Sequence, residues 1–157
     1  MSTWARLLPA LGVGALAYVI LLAYGIARPV TDSLFIATHG SRWLPAAWLG
    51  VAAAIVPAVA LYNRFAARFD LTTLLLGSTL VSAAVLALIA LARSGGLPGA
   101  TFALYVWKDV HVVVLLEILW SLANVVFRIR TARWAYGGFL VAGSLGGATG
   151  NLIVEGS

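Results

Sequence analysis

The chain has no cysteine, two histidines, one methionine and five acidic residues in 157 positions. Without cysteine, disulfide frameworks, thiolate metal sites and cysteine nucleophiles are excluded. His39 and His111 are too few and too separated to suggest a metal site, and no nucleophile and base pair is visible. The chain is therefore expected to be neither an enzyme nor a cofactor protein. Charge is also scarce, at 10% of residues, against roughly a quarter in soluble domains. What fills the chain instead is apolar: 62% of residues, with a mean hydropathy of +1.02. This is the composition of a membrane protein, with the lipid bilayer as its first partner. A net charge of +5 invites a nucleic-acid reading, but the ten basic residues are scattered between apolar runs and form no block. That pattern belongs to membrane topology, and no nucleic-acid partner is expected.

Five apolar runs organise the chain into one all-α, polytopic transmembrane domain over residues 1–157. The spans fall at about 7–28, 43–62, 71–92, 101–127 and 132–154, the first reaching 37 if the helix continues through Pro29. About 20 helical residues cross a hydrocarbon layer of roughly 30 Å, so each run suffices. A signal peptide would have a shorter apolar core and a small-residue cleavage site, which disfavours that reading of the first run. Pro57 lies inside the second span, where proline should kink a helix. Ser94, Gly95, Gly96 and Pro98 mark a tight turn after the third.

Loop charges suggest an orientation. With the N-terminus cytoplasmic, Arg6, Arg64, Arg68, Arg128, Arg130 and Arg133 lie inside, Arg42 and Arg93 outside, and Arg28 and Lys108 near or at membrane depth. This asymmetry favours the N-terminus inside, and a bacterial inner membrane is the expected location. The fifth span is followed almost at once by "IVEGS", so a truncated chain is expected.

The ionisable residues within the spans are the candidate site. On the fourth helix, with Asp109 at 0°, Glu117 falls at about 80°, Ser121 at about 120° and Asn124 at about 60°, so the four share a face. Charges at membrane depth are costly and usually face a bundle interior or a watered cavity. Against this, Lys108 can snorkel to the outer interface, Asp109 lies near that end, and His111 points away from the acidic face. Arg28 and Asp32 are spaced i, i+4 and can pair if the helix continues; otherwise they are an interfacial arginine and a loop aspartate. In the fifth span, Gly143 with Gly147 and Gly146 with Gly150 form overlapping small-xxx-small pairs, a helix-packing signal.

Three stretches in order carry a resemblance. "RPVTDSLF" resembles the first-helix motif of the ATP:ADP antiporter (nucleotide transporter) family, a divergent branch of the major facilitator superfamily. "YVWKDVHVVVLLEILWSLANVVF" resembles that family's fourth-helix pattern, and "TARWAYGGFLVAGSLGGATG" its glycine-rich fifth helix with the preceding basic residues. The likeness covers about residues 10–154. It implies the N-terminal half of a major facilitator bundle, alternating access, and ATP/ADP or another anionic solute as ligand. By position, Arg28 matches the first basic residue of the motif, Asp32 its acid, Asp109 the fourth-helix acid, Asn124 its asparagine and Arg133 the lysine before the fifth helix. Thr31 stands where a second basic residue would be, and Trp134 where an arginine would be. Asn63 replaces the aspartate of the loop that "YNRFAARFD" loosely echoes. These departures bear on nucleotide specificity more than on fold.

The resulting expectation is a transporter fragment whose candidate substrate-binding residues are Arg28, Asp32, Lys108, Asp109, Glu117 and Asn124. With five of the helices of such a transporter, it would need a missing C-terminal half or a partner subunit. The alternatives are a major facilitator transporter for another solute, and a small helical membrane protein that acts by association through Gly143, Gly146, Gly147 and Gly150.

Overall fold

The computed structural model describes the backbone of residues 3–126 and 129–156, and side chains within 11–126 and 137–156. Phe127, Arg128 and the side chains of Arg6, Arg130, Arg133 and Trp134, which entered the span, topology and motif readings, lie outside the described residues. Five helices account for almost all of it: α1 (Thr3–His39), α2 (Leu44–Ala66), α3 (Leu71–Ser94), α4 (Ala100–Val126) and α5 (Ile129–Glu155). There is no strand among the described residues. All five helices are long and apolar enough to cross a membrane, so the chain is an all-α, polytopic membrane protein.

α1 does not stop where its apolar run ends. It continues through Arg28, Pro29 and Asp32 to His39. Pro29 has no N–H and leaves the carbonyl of Gly25, one turn earlier, without its intrahelical donor. The helix ends at Gly40, whose φ of 81° is open to glycine and strained for other residues. A single 3-10 turn, Ser41–Trp43, then leads into α2, with Pro45 in its first turn where no donor is lost. Asp70 caps α3: its carboxylate accepts from the Thr73 N–H at 3.0 Å and the Thr73 hydroxyl at 2.6 Å. α3 closes with Gly96 at φ 70° and the Leu97 N–H donating to the Ala92 carbonyl at 2.9 Å, the helix-ending turn foreseen from its glycines.

The chain divides into two compact units. The first comprises residues 1–27 and 116–157; its buried apolar side chains are Val13, Ala17 and Ile20 of α1, Ile118, Leu119 and Ala123 of α4, and Phe139 of α5. Here α1 and α5 approach through glycine. A Cβ on Gly146 would collide with the Tyr18 carbonyl, one on Gly150 would lie 2.6 Å from the Leu22 carbonyl oxygen, and one on Gly25 2.6 Å from that of Gly147. Contacts advance along both helices in the same sense, so the two run parallel. In lipid, where no hydrophobic difference drives helices together, such close backbone approach is a principal source of association energy.

The second unit, residues 28–115, holds α2, α3 and the adjoining parts of α1 and α4. Its core is Phe35, Ala47 and Tyr105, with Leu44, Val51 and Phe102 packed around them. Asp32 faces Lys108 and Phe35 faces Tyr105, so α1 and α4 run antiparallel here. α3 contributes one buried polar side chain, Ser82, which accepts from the Trp107 indole N–H at 3.1 Å. Most of α3 is otherwise apolar and open, with Leu80 70% exposed; such a surface suits lipid and not water.

Candidate functional site

The charged residues of the second unit converge on one ammonium. The Lys108 side chain is 6% exposed, and its Nζ lies 3.1 Å from each oxygen of Asp109 and 3.3 Å from Oδ1 of Asp32. It also sits 4.2 Å from the centroid of the Tyr105 ring, whose negative face suits a cation. Tyr105 is fixed in turn, because the Trp48 indole N–H donates to its hydroxyl at 3.2 Å and Phe35 packs against its ring at 4.8 Å between centroids. Lysine is flexible and easily lost to solvent; here two carboxylates and one ring hold it inside the protein.

The two carboxylates are held differently. Asp109 receives hydrogen bonds from Lys108 at both oxygens. Asp32 is bound by ion pairs: Oδ1 faces Lys108 without hydrogen-bond alignment, and Oδ2 lies 3.8 Å from Nε of Arg28. Asp32 thus bridges two cations, one buried and one open, since the Arg28 side chain is 63% exposed. Thr31 is buried, and its hydroxyl donates to the Arg28 carbonyl at 3.0 Å, one turn before it on α1.

Depth follows from helix geometry. Asp32 and Arg28 stand about 10 and 16 Å along the axis from the His39 end of α1, and Lys108 about 12 Å from the Ala100 end of α4, at 1.5 Å per residue. These ends lie on one side if successive helices alternate. Along the helices, Arg28 is therefore the charge of the cluster farthest from these ends.

Four of the six residues singled out in the sequence, Arg28, Asp32, Lys108 and Asp109, come together in this unit. Glu117, half-buried, and Asn124, exposed, belong to the other unit. The loop-aspartate alternative for Asp32 is not realised, because α1 carries it in mid-helix. The Lys108 side chain does not extend into solvent; it is buried at the centre of the cluster. Sequence reasoning passed over Tyr105, Trp48 and Ser82 as functional supports. Only Ser82, a polar residue inside an apolar run, left a trace that could have been followed. Among the described residues no group of histidine and carboxylate side chains is arranged to hold a metal.

Compared with family models, curated proteins and solved structures, the chain matches none.

Proposed function

We propose that this chain forms one wall of a membrane transporter for an anionic solute, with Arg28 and Lys108 supplying the cationic side of the site. One observation carries the reading: a 63% exposed guanidinium, ion-paired to Asp32 at 3.8 Å, stands in mid-helix on α1, a helix long and apolar enough to cross a membrane. A lipid-facing arginine at the centre of a spanning helix costs about 2.5–3.5 kcal/mol on insertion scales. A watered cavity, shared with a facing wall from further helices or a partner subunit, removes that cost. Burial of Lys108 among Asp32, Asp109 and Tyr105 suits a site that keeps its charges balanced when empty.

The resemblance of the three motifs makes ATP or ADP the first solutes to try and alternating access the expected mechanism. The N-terminus would face the cytoplasm. The test is a thermal-shift measurement on the purified chain in detergent. A shift with ATP or ADP that Arg28→Ala removes supports the nucleotide reading. A shift only with non-nucleotide anions favours another solute, and no shift with any anion sinks the transporter reading. The association alternative is weakened by the packing itself, because Gly146 and Gly150 already receive α1 of the same chain.

A further inference from the structure

Asp32 is where an anion would be. Its two oxygens address two different cations, Lys108 Nζ at 3.3 Å and Arg28 Nε at 3.8 Å, as a carboxylate or phosphate group of a solute would. We infer that the Asp32 carboxylate is a built-in placeholder: it occupies the anion seat between Arg28 and Lys108 and must be displaced when the solute binds. The inference rests on the anion-site reading above and reverses the role the sequence suggests for Asp32, from solute ligand to competitor.

Geometry selects Asp32 over Asp109 as the carboxylate that moves. Asp109 is 19% exposed, adjoins Lys108 in sequence and takes a hydrogen bond from it at each oxygen. Asp32 is 33% exposed, and its Oδ1 is buried against Lys108 without a hydrogen bond. Loss of Asp32 from the seat therefore breaks ion pairs and no aligned hydrogen bond, while Lys108 keeps Asp109 and the Tyr105 ring. The ion-paired groups that form the seat are Arg28 and Asp32 of α1 and Lys108 and Asp109 of α4; α2 brings the uncharged Trp48 against Tyr105. These four charges cancel. An arriving anion leaves an excess negative charge unless Asp32 withdraws toward water, and a seat without the Asp32 charge carries one net positive charge to receive it. The ligand class is a carboxylate or a phosphate group, one formal charge at a time.

The experiment is binding of inorganic phosphate, acetate and ATP to the whole chain in detergent, by titration calorimetry, for wild type and Asp32→Asn. The amide keeps the shape and removes the charge, so the variant should bind at least one of these anions tenfold or more tighter than wild type. The gain should vanish in the Arg28→Gln/Asp32→Asn double variant, which has lost one side of the seat. Weaker or unchanged binding by Asp32→Asn, with the helical spectrum and melting temperature intact, overturns the placeholder and leaves the anion site standing. Binding of no anion by either protein removes the site itself and the placeholder with it. Tightening confined to phosphatidylglycerol added to the micelle, with none for the soluble anions, assigns the seat to a lipid headgroup and overturns the solute claim.

Discussion

At the residue scale, Lys108 is the side chain on which the candidate site depends. Removing one partner of a buried ion pair costs more than the pair contributes, because the remaining charge stays buried. Lys108→Ala would leave Asp32 and Asp109 facing each other and is expected to destabilise the chain by about 3 kcal/mol, read from denaturant unfolding in micelles. The exposed Arg28 should matter far less to stability, with Arg28→Ala within about 1 kcal/mol of wild type by the same measurement. Asp70 offers a pH test outside the spans. Its hydrogen bonds from the Thr73 hydroxyl and N–H favour the ionised form and hold its carboxyl below the usual range. A carboxyl depressed on folding stabilises above its ordinary pKa, and that contribution is lost as pH falls through the lowered value. Acid should therefore narrow the gap in melting temperature between wild type and Asp70→Ala, and an equal gap at neutral and strongly acid pH would contradict the cap. How much of this site was legible is clear from Lys108. The i, i+4 spacing made the Arg28–Asp32 pair readable, whereas the Asp32–Lys108 contact joins residues far apart in the chain and depends on the antiparallel meeting of α1 and α4. A helical wheel of α4 alone orders residues around one axis, so it ranked Asp109 with Glu117 and gave no sign of the neighbour that captures the lysine.

At the scale of elements, the glycines of α5 are not equivalent, although the motif lists them together. Gly146 and Gly150 each meet α1 backbone, which cannot move aside, whereas a Cβ on Gly147 has the Leu21 carbonyl oxygen at 4.0 Å, ordinary contact, and one on Gly143 meets only the flexible tip of Leu21. Alanine at Gly146 or Gly150 should therefore cost about 1–3 kcal/mol as overpacking. Alanine at Gly77 of α3, with nothing within 4 Å, should be neutral or gain up to about 1 kcal/mol of helix propensity. Thermal melts of the three variants in detergent check the order, and equal effects would refute the seam. Four of the five helices could be placed from hydropathy to within a few residues, because apolar length is a local property. α1 was harder: Arg28, Pro29 and Asp32 read equally well as a boundary, and its continuation to His39 is settled by packing, where Phe35 enters the core with Ala47 and Tyr105.

For the whole molecule, the lack of native cysteine makes topology directly measurable. If the helices alternate across the bilayer, the α2–α3 and α3–α4 connections lie on opposite sides. Asn63→Cys and Leu97→Cys, introduced singly, should then react with a membrane-impermeant thiol reagent from opposite faces of sealed vesicles. Asn63→Cys is expected to be protected in intact cells, since the last turn of α2 and the connection that follows it carry Arg64 and Arg68. Labelling of both from the same side would remove the alternating arrangement. Composition alone announced a membrane protein, because exclusion of water sets a coarse demand on the whole chain.

The adjacency of Lys108 and Asp109 also bears on biogenesis. α4 must enter lipid carrying both charges, and each alone is a burden for the insertion machinery. Because the lysine finds its counter-ion on the next residue of its own helix, the pair can be neutralised before α4 has met α1. Asp32, which comes from another helix, can join the cation only once α1 and α4 have met, so Asp109 is the partner available on arrival and Asp32 the partner of assembly.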